Sequence, residues 1–237
     1  MRKKILMTIC LLFFITALSA LAEELPEDLI FPQETAGPNE HKQTNQKADL
    51  LSNEGILHLV NRDFKITKDY VPADLVVPKV PTRKKGMENK ILLRLEAAAA
   101  LEEMFDAAKR EAKFTLYATS GYRSFGIQQI LFNGRAQEIG RETANKTVAL
   151  PGTSEHQLGL AMDVQAPSML NLNRSFGDTD EGKWVAQNAH RFGFIIRYKR
   201  EWTDITGYAY EPWHLRYLGL AHARALFKLN IPYEHYH

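Results

Sequence analysis

Two short segments of this chain constrain its fold more than any other feature, because their side chains have to meet in space to act together. The first segment contains His156 and Asp163, seven residues apart, and the second contains Glu211 and His214, well downstream. Two imidazoles and a carboxylate of this kind are able to close on one divalent metal ion. The chain therefore has to fold so that both segments reach the same place.

Zinc is the metal that this set of donors favours. A catalytic zinc ion usually takes three protein ligands and keeps a fourth position for water, with nitrogen and oxygen donors at about 2.0–2.2 Å. We predict that His156, Asp163 and His214 are these ligands. Gly159 lies between the first two and allows the backbone to turn tightly there. Donor type alone leaves Co²⁺ and Mn²⁺ as alternatives.

Glu211 adds a carboxylate that a purely structural metal site does not need. A water molecule activated by zinc requires a neighbouring base that takes its proton and passes it to the leaving amine. Glu211 stands three residues before His214, and Pro212 restricts the backbone between them. This arrangement predicts a hydrolytic site in which Glu211 is the general base.

The N-terminal residues have the pattern of an export signal. Basic residues precede an apolar run from 5 to 18, and small residues lead up to Ala22. We expect residues 1–22 to be a signal peptide, so that the protein is exported and acts in the periplasm or outside the cell, associated with the cell wall. No later segment is apolar enough to keep the mature chain anchored in a membrane.

Composition narrows the chemistry of the exported chain. The only cysteine, Cys10, falls within the signal peptide, so a metal site has to use His, Asp or Glu side chains. Of the 30 Lys and Arg residues, three belong to the signal peptide, which leaves 27 basic against 28 acidic side chains. This balance argues against a nucleic-acid partner, which needs a strongly basic face.

Beyond the signal, the chain divides into a polar leader and one domain. Residues 23–54 lack a sustained hydrophobic period, and we expect a flexible leader. Residues 55–237 are expected to form a single α+β domain, in which helices flank a small, mostly antiparallel sheet. The patterns predict helices at 90–112, 125–139, 180–192 and 218–229, and strands at 114–118, 160–164, 194–198 and 213–217.

The same two segments resemble a family signature. The chain is similar to the VanY-type zinc D-alanyl-D-alanine carboxypeptidases, relatives of the hedgehog-like and LAS peptidases, in the pattern Ser154-Xaa-His156-Xaa-Xaa-Gly159-Xaa-Ala161-Xaa-Asp163 followed by Glu211-Xaa-Trp213-His214. Tyr70-Val71-Pro72 and Ser120-Gly121-Tyr122-Arg123-Ser124 resemble the family's opening segment and its arginine-bearing loop. The resemblance extends from about residue 56 to the end and implies the hedgehog-like zinc peptidase fold.

The resemblance also implies roles for individual residues. It places zinc on the three predicted ligands, makes Glu211 the base, and implies removal of the terminal D-Ala from peptidoglycan stem peptides. Arg123 is expected to bind the free substrate carboxylate, because a guanidinium forms two parallel charge-assisted hydrogen bonds with such a group. Ser154 and Gln128 resemble positions that hydrogen-bond the substrate or shape its pocket, and Trp213 is expected to form a pocket wall.

Several alternatives stay open at this point. The expected activity is the D,D reaction on a pentapeptide. The L,D reaction on a tetrapeptide is an alternative, because the two differ only in the stereocentre before the terminal D-Ala, which a motif does not reveal. An endopeptidase is disfavoured if Arg123 binds a free carboxylate, and a non-catalytic zinc-bearing cell-wall binding module is disfavoured by Glu211. A serine hydrolase is not expected, because neither Ser120 nor Ser154 lies in a Gly-Xaa-Ser-Xaa-Gly turn.

Overall fold

The computed structural model describes residues 55–83 and 86–236. The predicted signal peptide at 1–22 and the predicted polar leader at 23–54 lie outside these described residues. Within the described ranges, no helix combines the length and the apolar character that crossing a bilayer requires.

Six strands form two antiparallel sheets in the described part of the chain. A small sheet pairs β1 (Leu75–Val76) with β2 (Leu93–Arg94). The larger sheet contains β3 (Tyr117–Ser120), β4 (Ala161–Gln165), β5 (Phe194–Tyr198) and β6 (Glu211–Tyr217). Its order is β3-β4-β6-β5, and every neighbouring pair is antiparallel. The prediction of a small, mostly antiparallel sheet is confirmed.

The helices of the described residues surround this sheet and confirm the α+β class. They are α1 (Leu95–Ala107), α2 (Phe125–Ile139), α3 (Arg141–Ala144), α4 (Asp180–Asn188), α5 (Thr203–Thr206), α6 (Leu220–Leu229) and α7 (Tyr233–Tyr236). Short 3₁₀ turns occur at Glu88–Lys90, Glu155–Leu158, Arg174–Asp178, Ala189–Phe192 and Arg200–Trp202.

The first predicted helix, at 90–112, is shorter than its hydrophobic pattern indicated. Leu93 pairs with Val76 in the small sheet, so α1 begins only at Leu95. The helix widens into a π-helical turn at Ala108–Ala112 and ends at Lys113, whose φ of 62° is left-handed. The apolar side chains that recur at three- and four-residue spacing are buried, as an amphipathic pattern requires. They are Leu93, Ala97, Leu101, Met104 and Ala108.

Other predicted boundaries shift for local reasons. The strand predicted at 114–118 begins at Tyr117, because the N–H of Phe114 still bonds to the carbonyl oxygen of Ala108 at the helix end. The last long helix begins after Leu218, whose N–H donates to Gly193. The strand predicted at 194–198 and the helix predicted at 125–139 agree with β5 and α2.

Side chains along the strands alternate between the face of the sheet that packs on the core and the opposite face. Met162 and Leu215 are paired across β4 and β6, and both belong to the main hydrophobic cluster together with Leu101 of α1. Successive side chains in a strand point to opposite faces. Asp163 and His214, which adjoin these core residues in sequence, therefore lie on the other face.

Candidate active site

The register of β4 and β6 brings two predicted ligands side by side. Asp163 and His214 are direct partners across this antiparallel pair, and both are buried. Directly opposed residues point to the same face, with β-carbons about 4.5–5.5 Å apart. On the other side of β4, Ser120 of β3 is also a partner of Asp163. Three strands thus contribute to one row of polar side chains.

His156 comes from the segment that precedes β4. It lies in the 3₁₀ turn Glu155–Leu158, which ends at Gly159 with a φ of 67°. A β-carbon at Gly159 would come within 2.8 Å of the Leu75 side chain. The tight turn expected from this glycine is present, and it brings His156 next to Asp163.

Hydrogen bonds on the far side of each imidazole decide which nitrogen faces the cluster. Nδ1 of His156 donates to the carbonyl oxygen of Gly121 at 2.7 Å, which leaves Nε2 free. Nε2 of His214 donates to Oε2 of Glu155 at 3.1 Å, which leaves Nδ1 free. Such bonds fix the tautomer and the ring orientation of a metal-binding histidine.

The three facing atoms lie within 4.8 Å of one another, and the two distances from Asp163 match a zinc site. Oδ1 of Asp163 lies 3.5 Å from Nε2 of His156 and 3.3 Å from Nδ1 of His214. Tetrahedral zinc with donors at about 2.0–2.2 Å spaces its ligand atoms about 3.3–3.6 Å apart. Oδ1 of Asp163 is also buried without a hydrogen bond, which is costly unless a cation compensates it. The three residues fit a zinc ion.

Burial and neighbouring charges set the protonation of the two imidazoles. Burial and the positive charge of Arg123 lower the pKa of His156 to about 4, so this ring is neutral at pH 7. Burial also disfavours the cation of His214, but the adjacent carboxylates of Asp163 and Glu155 outweigh it and raise the pKa to about 9. A metal that binds Nδ1 of His214 therefore has to displace a proton.

Glu211 stands at the start of β6, beside the ligand atoms. Its Oε2 lies 3.9 Å from Nδ1 of His214, and its side chain is 15% exposed. Burial raises the pKa of Glu211 to about 7, against the opposing positive charge of His214. A carboxyl group with a pKa near neutrality is suited both to accept a proton and to return it.

Arg123 lies on the loop after β3 with its guanidinium held in place. Its Nη1 is 3.7 Å from Oδ2 of Asp163 and donates to Oγ of Ser120 at 2.8 Å, while its Nε donates to Oε1 of Gln128 at 3.0 Å. Gln128 is fully buried and donates in turn to the carbonyl oxygen of Ala149. Within the described part of the chain, both N–H groups of Nη2 have no recorded hydrogen bond, so Arg123 retains donors for a ligand.

The arginine loop is joined to the predicted ligand His156 by hydrogen bonds of its main chain. Gly121 supplies the carbonyl oxygen that orients His156, and the N–H of Arg123 donates to the carbonyl oxygen of His156 at 3.2 Å. A β-carbon at Gly121 would lie 2.3 Å from the carbonyl oxygen of Leu92. Only glycine therefore lets the loop approach this closely.

A cavity of about 460 Å³ opens over the cluster and contains the predicted ligands, Glu211 and Arg123 in its lining. Ser154 and Trp213 also line it, whereas Gln128 is not among its lining residues and lies behind Arg123. A second cavity of about 730 Å³ adjoins the first, shares Trp213 and Glu211 with it, and extends to residues such as Arg174 and Tyr210.

Three charged residues that no sequence motif indicated support His214. Glu155, which accepts the hydrogen bond from His214, is also bonded to Arg197 and Arg216. Burial alone would raise the pKa of Glu155, but the two guanidinium charges outweigh it and hold this pKa well below its usual range. The available signal was Arg197, the single charged residue of the otherwise apolar strand β5, where a charge needs a partner.

Comparisons with known proteins identify the relatives of this chain. A family model described as VanY, D-alanyl-D-alanine carboxypeptidase, matches residues 90–220. The chain is 44% identical over 199 residues to a putative carboxypeptidase, YodJ, of Bacillus subtilis, and the match covers 84% of this chain and 72% of that protein.

Two solved structures extend the likeness to the fold. The LdcB LD-carboxypeptidase, solved to explain peptidoglycan recognition, matches with a TM-score of 0.74 and 46% identity over 78% of this chain and 86% of that one. The vancomycin resistance D,D-pentapeptidase VanY from a VanB-type cassette, solved with Zn(II), matches with a TM-score of 0.61 and 32% identity. That match covers 75% of this chain and 96% of the other.

Proposed function

Because the chain belongs to the VanY family of D-alanyl-D-alanine carboxypeptidases, we propose that it hydrolyses the last peptide bond of peptidoglycan stem peptides and releases D-alanine. The chain is a metallocarboxypeptidase acting on peptidoglycan-related peptides, and its cofactor is zinc. In this proposal His156, Asp163 and His214 hold the zinc ion.

The observation that carries the proposal is the position of Arg123. A guanidinium with unused donors lies in the same cavity as the His/Asp/His cluster, with Nη1 only 3.7 Å from the carboxylate of Asp163. A free carboxylate bound there leaves the preceding peptide bond beside the cluster. This placement supports removal of a single C-terminal residue over cleavage within a peptide.

Each residue then has one task. Zinc, when bound, supplies a Lewis acid that polarises the scissile carbonyl and activates a water molecule. Glu211 accepts the proton of that water at its carboxylate and returns it to the amine of the departing D-alanine. Arg123 binds the substrate carboxylate through two parallel hydrogen bonds, and Trp213 and Ser154 shape the cavity around the terminal residues.

The tetrapeptide is the preferred substrate in this proposal, which makes the enzyme an L,D-carboxypeptidase. The support is comparative, since both the identity and the TM-score are higher for the LdcB LD-carboxypeptidase than for the D,D-pentapeptidase VanY. The adjoining cavity beside Arg174 and Tyr210 offers room for the rest of the stem peptide. The D,D reaction on the pentapeptide, which the family description names, is the second candidate.

Location follows from the substrate. Peptidoglycan stem peptides are exposed outside the cytoplasm, so the enzyme has to act there. The basic and apolar pattern of residues 1–22 supports export.

The test measures D-alanine release by the purified protein from a tetrapeptide ending in one D-Ala and from a pentapeptide ending in D-Ala-D-Ala. Each reaction is run with and without a metal chelator. Chelator-sensitive release from the tetrapeptide supports the L,D assignment, and release from the pentapeptide alone moves the assignment to D,D. If zinc is bound and neither peptide is cleaved, the carboxypeptidase proposal is wrong, and an endopeptidase or a binding module takes its place.

A further inference from the structure

Behind His214 lies a buried ion cluster of four side chains: Glu155, Arg197, Arg216 and Glu234. Oε1 of Glu155 accepts from Nε of Arg197 at 2.8 Å and from Nη1 of Arg216 at 3.0 Å. The side chains of Glu155 and of both arginines are 0% exposed. Their two positive and two negative charges balance, as a buried ionic group requires.

The buried ion cluster connects distant parts of the chain. Arg197 lies on β5 and forms a two-bond ion pair with Glu234 of the C-terminal helix α7, at 2.9 and 2.5 Å. Arg216 lies on β6 and donates from Nη2 to the carbonyl oxygens of Ile56 and His58 near the start of the described chain. Glu155 accepts hydrogen bonds from both arginines and so joins the two sets of contacts.

The two oxygens of Glu155 have different partners. Oε1 is used by the arginines, whereas Oε2 is turned to Nε2 of His214 at 3.1 Å. The ring of His214 is thereby held with Nδ1 toward Asp163. An ionised carboxylate that accepts from the outer nitrogen also makes the inner nitrogen a better metal donor.

We propose that Glu155 is a positioning residue for metal binding, which acts by fixing the ring and tautomer of His214, and that the buried ion cluster holds Glu155 in place for this task. The inference rests on the proposed function, because it takes His214 as a zinc ligand. Its consequence is that Glu234, at the far end of the chain, influences the zinc affinity through Arg197 and Glu155.

The test compares Glu155→Gln with the wild-type protein by zinc competition against a chromophoric chelator. Glutamine keeps the size of the side chain but lacks the charge that holds both arginines and attracts the His214 proton. We expect the zinc Kd to rise about 10–100-fold, the usual cost of losing an outer partner of a metal-binding histidine. In nitrogen NMR spectra of the zinc-loaded protein, the Nε2–H of His214 should shift and exchange faster with water, because its acceptor at position 155 has lost its charge.

Glu111→Gln is the matched control. It removes another two-bond ion pair with an arginine, the exposed pair to Arg191 at 2.7 Å, which is not part of the cavity lining. Its zinc Kd should stay within about two-fold of wild type, because exposed ion pairs contribute little. A folded Glu155→Gln protein whose zinc Kd matches that of this control overturns the proposal.

A second variant decides the matter if Glu155→Gln does not fold. Glu234→Gln is less disruptive, because the Glu234 side chain is 13% exposed and has no direct contact with His214 among those described. We expect a smaller rise in zinc Kd, about 3–10-fold, less than the about 10–100-fold cost of losing a direct outer partner, and an unchanged Kd overturns the proposal. Zinc affinity is measured without substrate, so failure of the proposed peptidase reaction is distinguishable from failure of this inference.

Discussion

Replacing Arg123 by alanine tests whether the enzyme recognises a free C-terminal carboxylate. In the structure, one N–H of the guanidinium is bonded to Gln128 and one to Ser120. A guanidinium has five N–H donors, so the remaining donors suffice for a two-bond contact with a carboxylate. Arg123→Ala removes the two expected hydrogen bonds to the substrate carboxylate together with the positive charge.

The size of the effect follows from this donor count. A hydrogen bond to a charged group contributes about 1.5–3 kcal/mol, so two such bonds contribute about 3–6 kcal/mol. At about 1.4 kcal/mol for each factor of ten, kcat/KM for a stem peptide should fall by about 10²–10⁴-fold. Zinc binding should persist, because Arg123 is not a ligand.

The assay compares two substrates, a stem peptide ending in D-Ala and the same peptide with its terminal carboxylate converted to the amide. Wild type should prefer the free acid by about the same 10²–10⁴-fold, and Arg123→Ala should cleave both peptides equally slowly. Arg191→Ala, which alters an exposed arginine paired with Glu111, is the control and should keep the wild-type preference. If Arg123→Ala still prefers the acid, the guanidinium does not bind the carboxylate and the argument for a carboxypeptidase fails.

Three further outcomes are expected. Glu211→Gln should lower kcat about 10²–10⁴-fold while metal analysis still finds zinc bound; activity that survives this change excludes Glu211 as the base. Burial raises the pKa of Glu211 to about 7, and a bound zinc ion lowers it. As the pH drops, kcat/KM should therefore fall with a midpoint at or below about 7, because a protonated Glu211 cannot act as the base. A midpoint well above 7 contradicts this role. Zinc at 100 times its Kd adds about 2.7 kcal/mol of stability, so adding a chelator should lower Tm by about 5–11 °C; an unchanged Tm means that the folded chain does not hold zinc.

The candidate ligands could be proposed from the sequence, because the proposal depends on residue type and spacing. His156, Gly159 and Asp163 are close in sequence, and a tight turn followed by a strand is enough to bring the two ligands together. His214 is distant in sequence, and its direct pairing with Asp163 depends on the register of β4 against β6. Register arises from packing of the whole sheet, so the motif predicted the meeting of these residues but not its geometry.

The residues that hold His214 and Arg123 in place could not be predicted from the sequence in the same way. Arg197, Arg216 and Glu155 are charged types that usually lie in solvent, and only the completed sheet shows that they are enclosed. Gln128 was expected to hydrogen-bond the substrate or shape its pocket, whereas the fold buries it between Arg123 and Ala149. In each case the partner is far away in sequence or on another element, so local patterns do not reveal it.

The main-chain groups of Gly121 and Arg123 are hydrogen-bonded to His156, and these bonds fix a distance. They set the distance between the Arg123 guanidinium and the predicted metal ligands, and in the proposed reaction this distance spans one amino acid at the end of the substrate. In this proposal, side-chain substitutions in the cavity change which terminal residue is accepted. The number of residues released depends instead on the main-chain path of the loop. Conversion into an enzyme that removes two residues at a time would require a different path for the loop after β3.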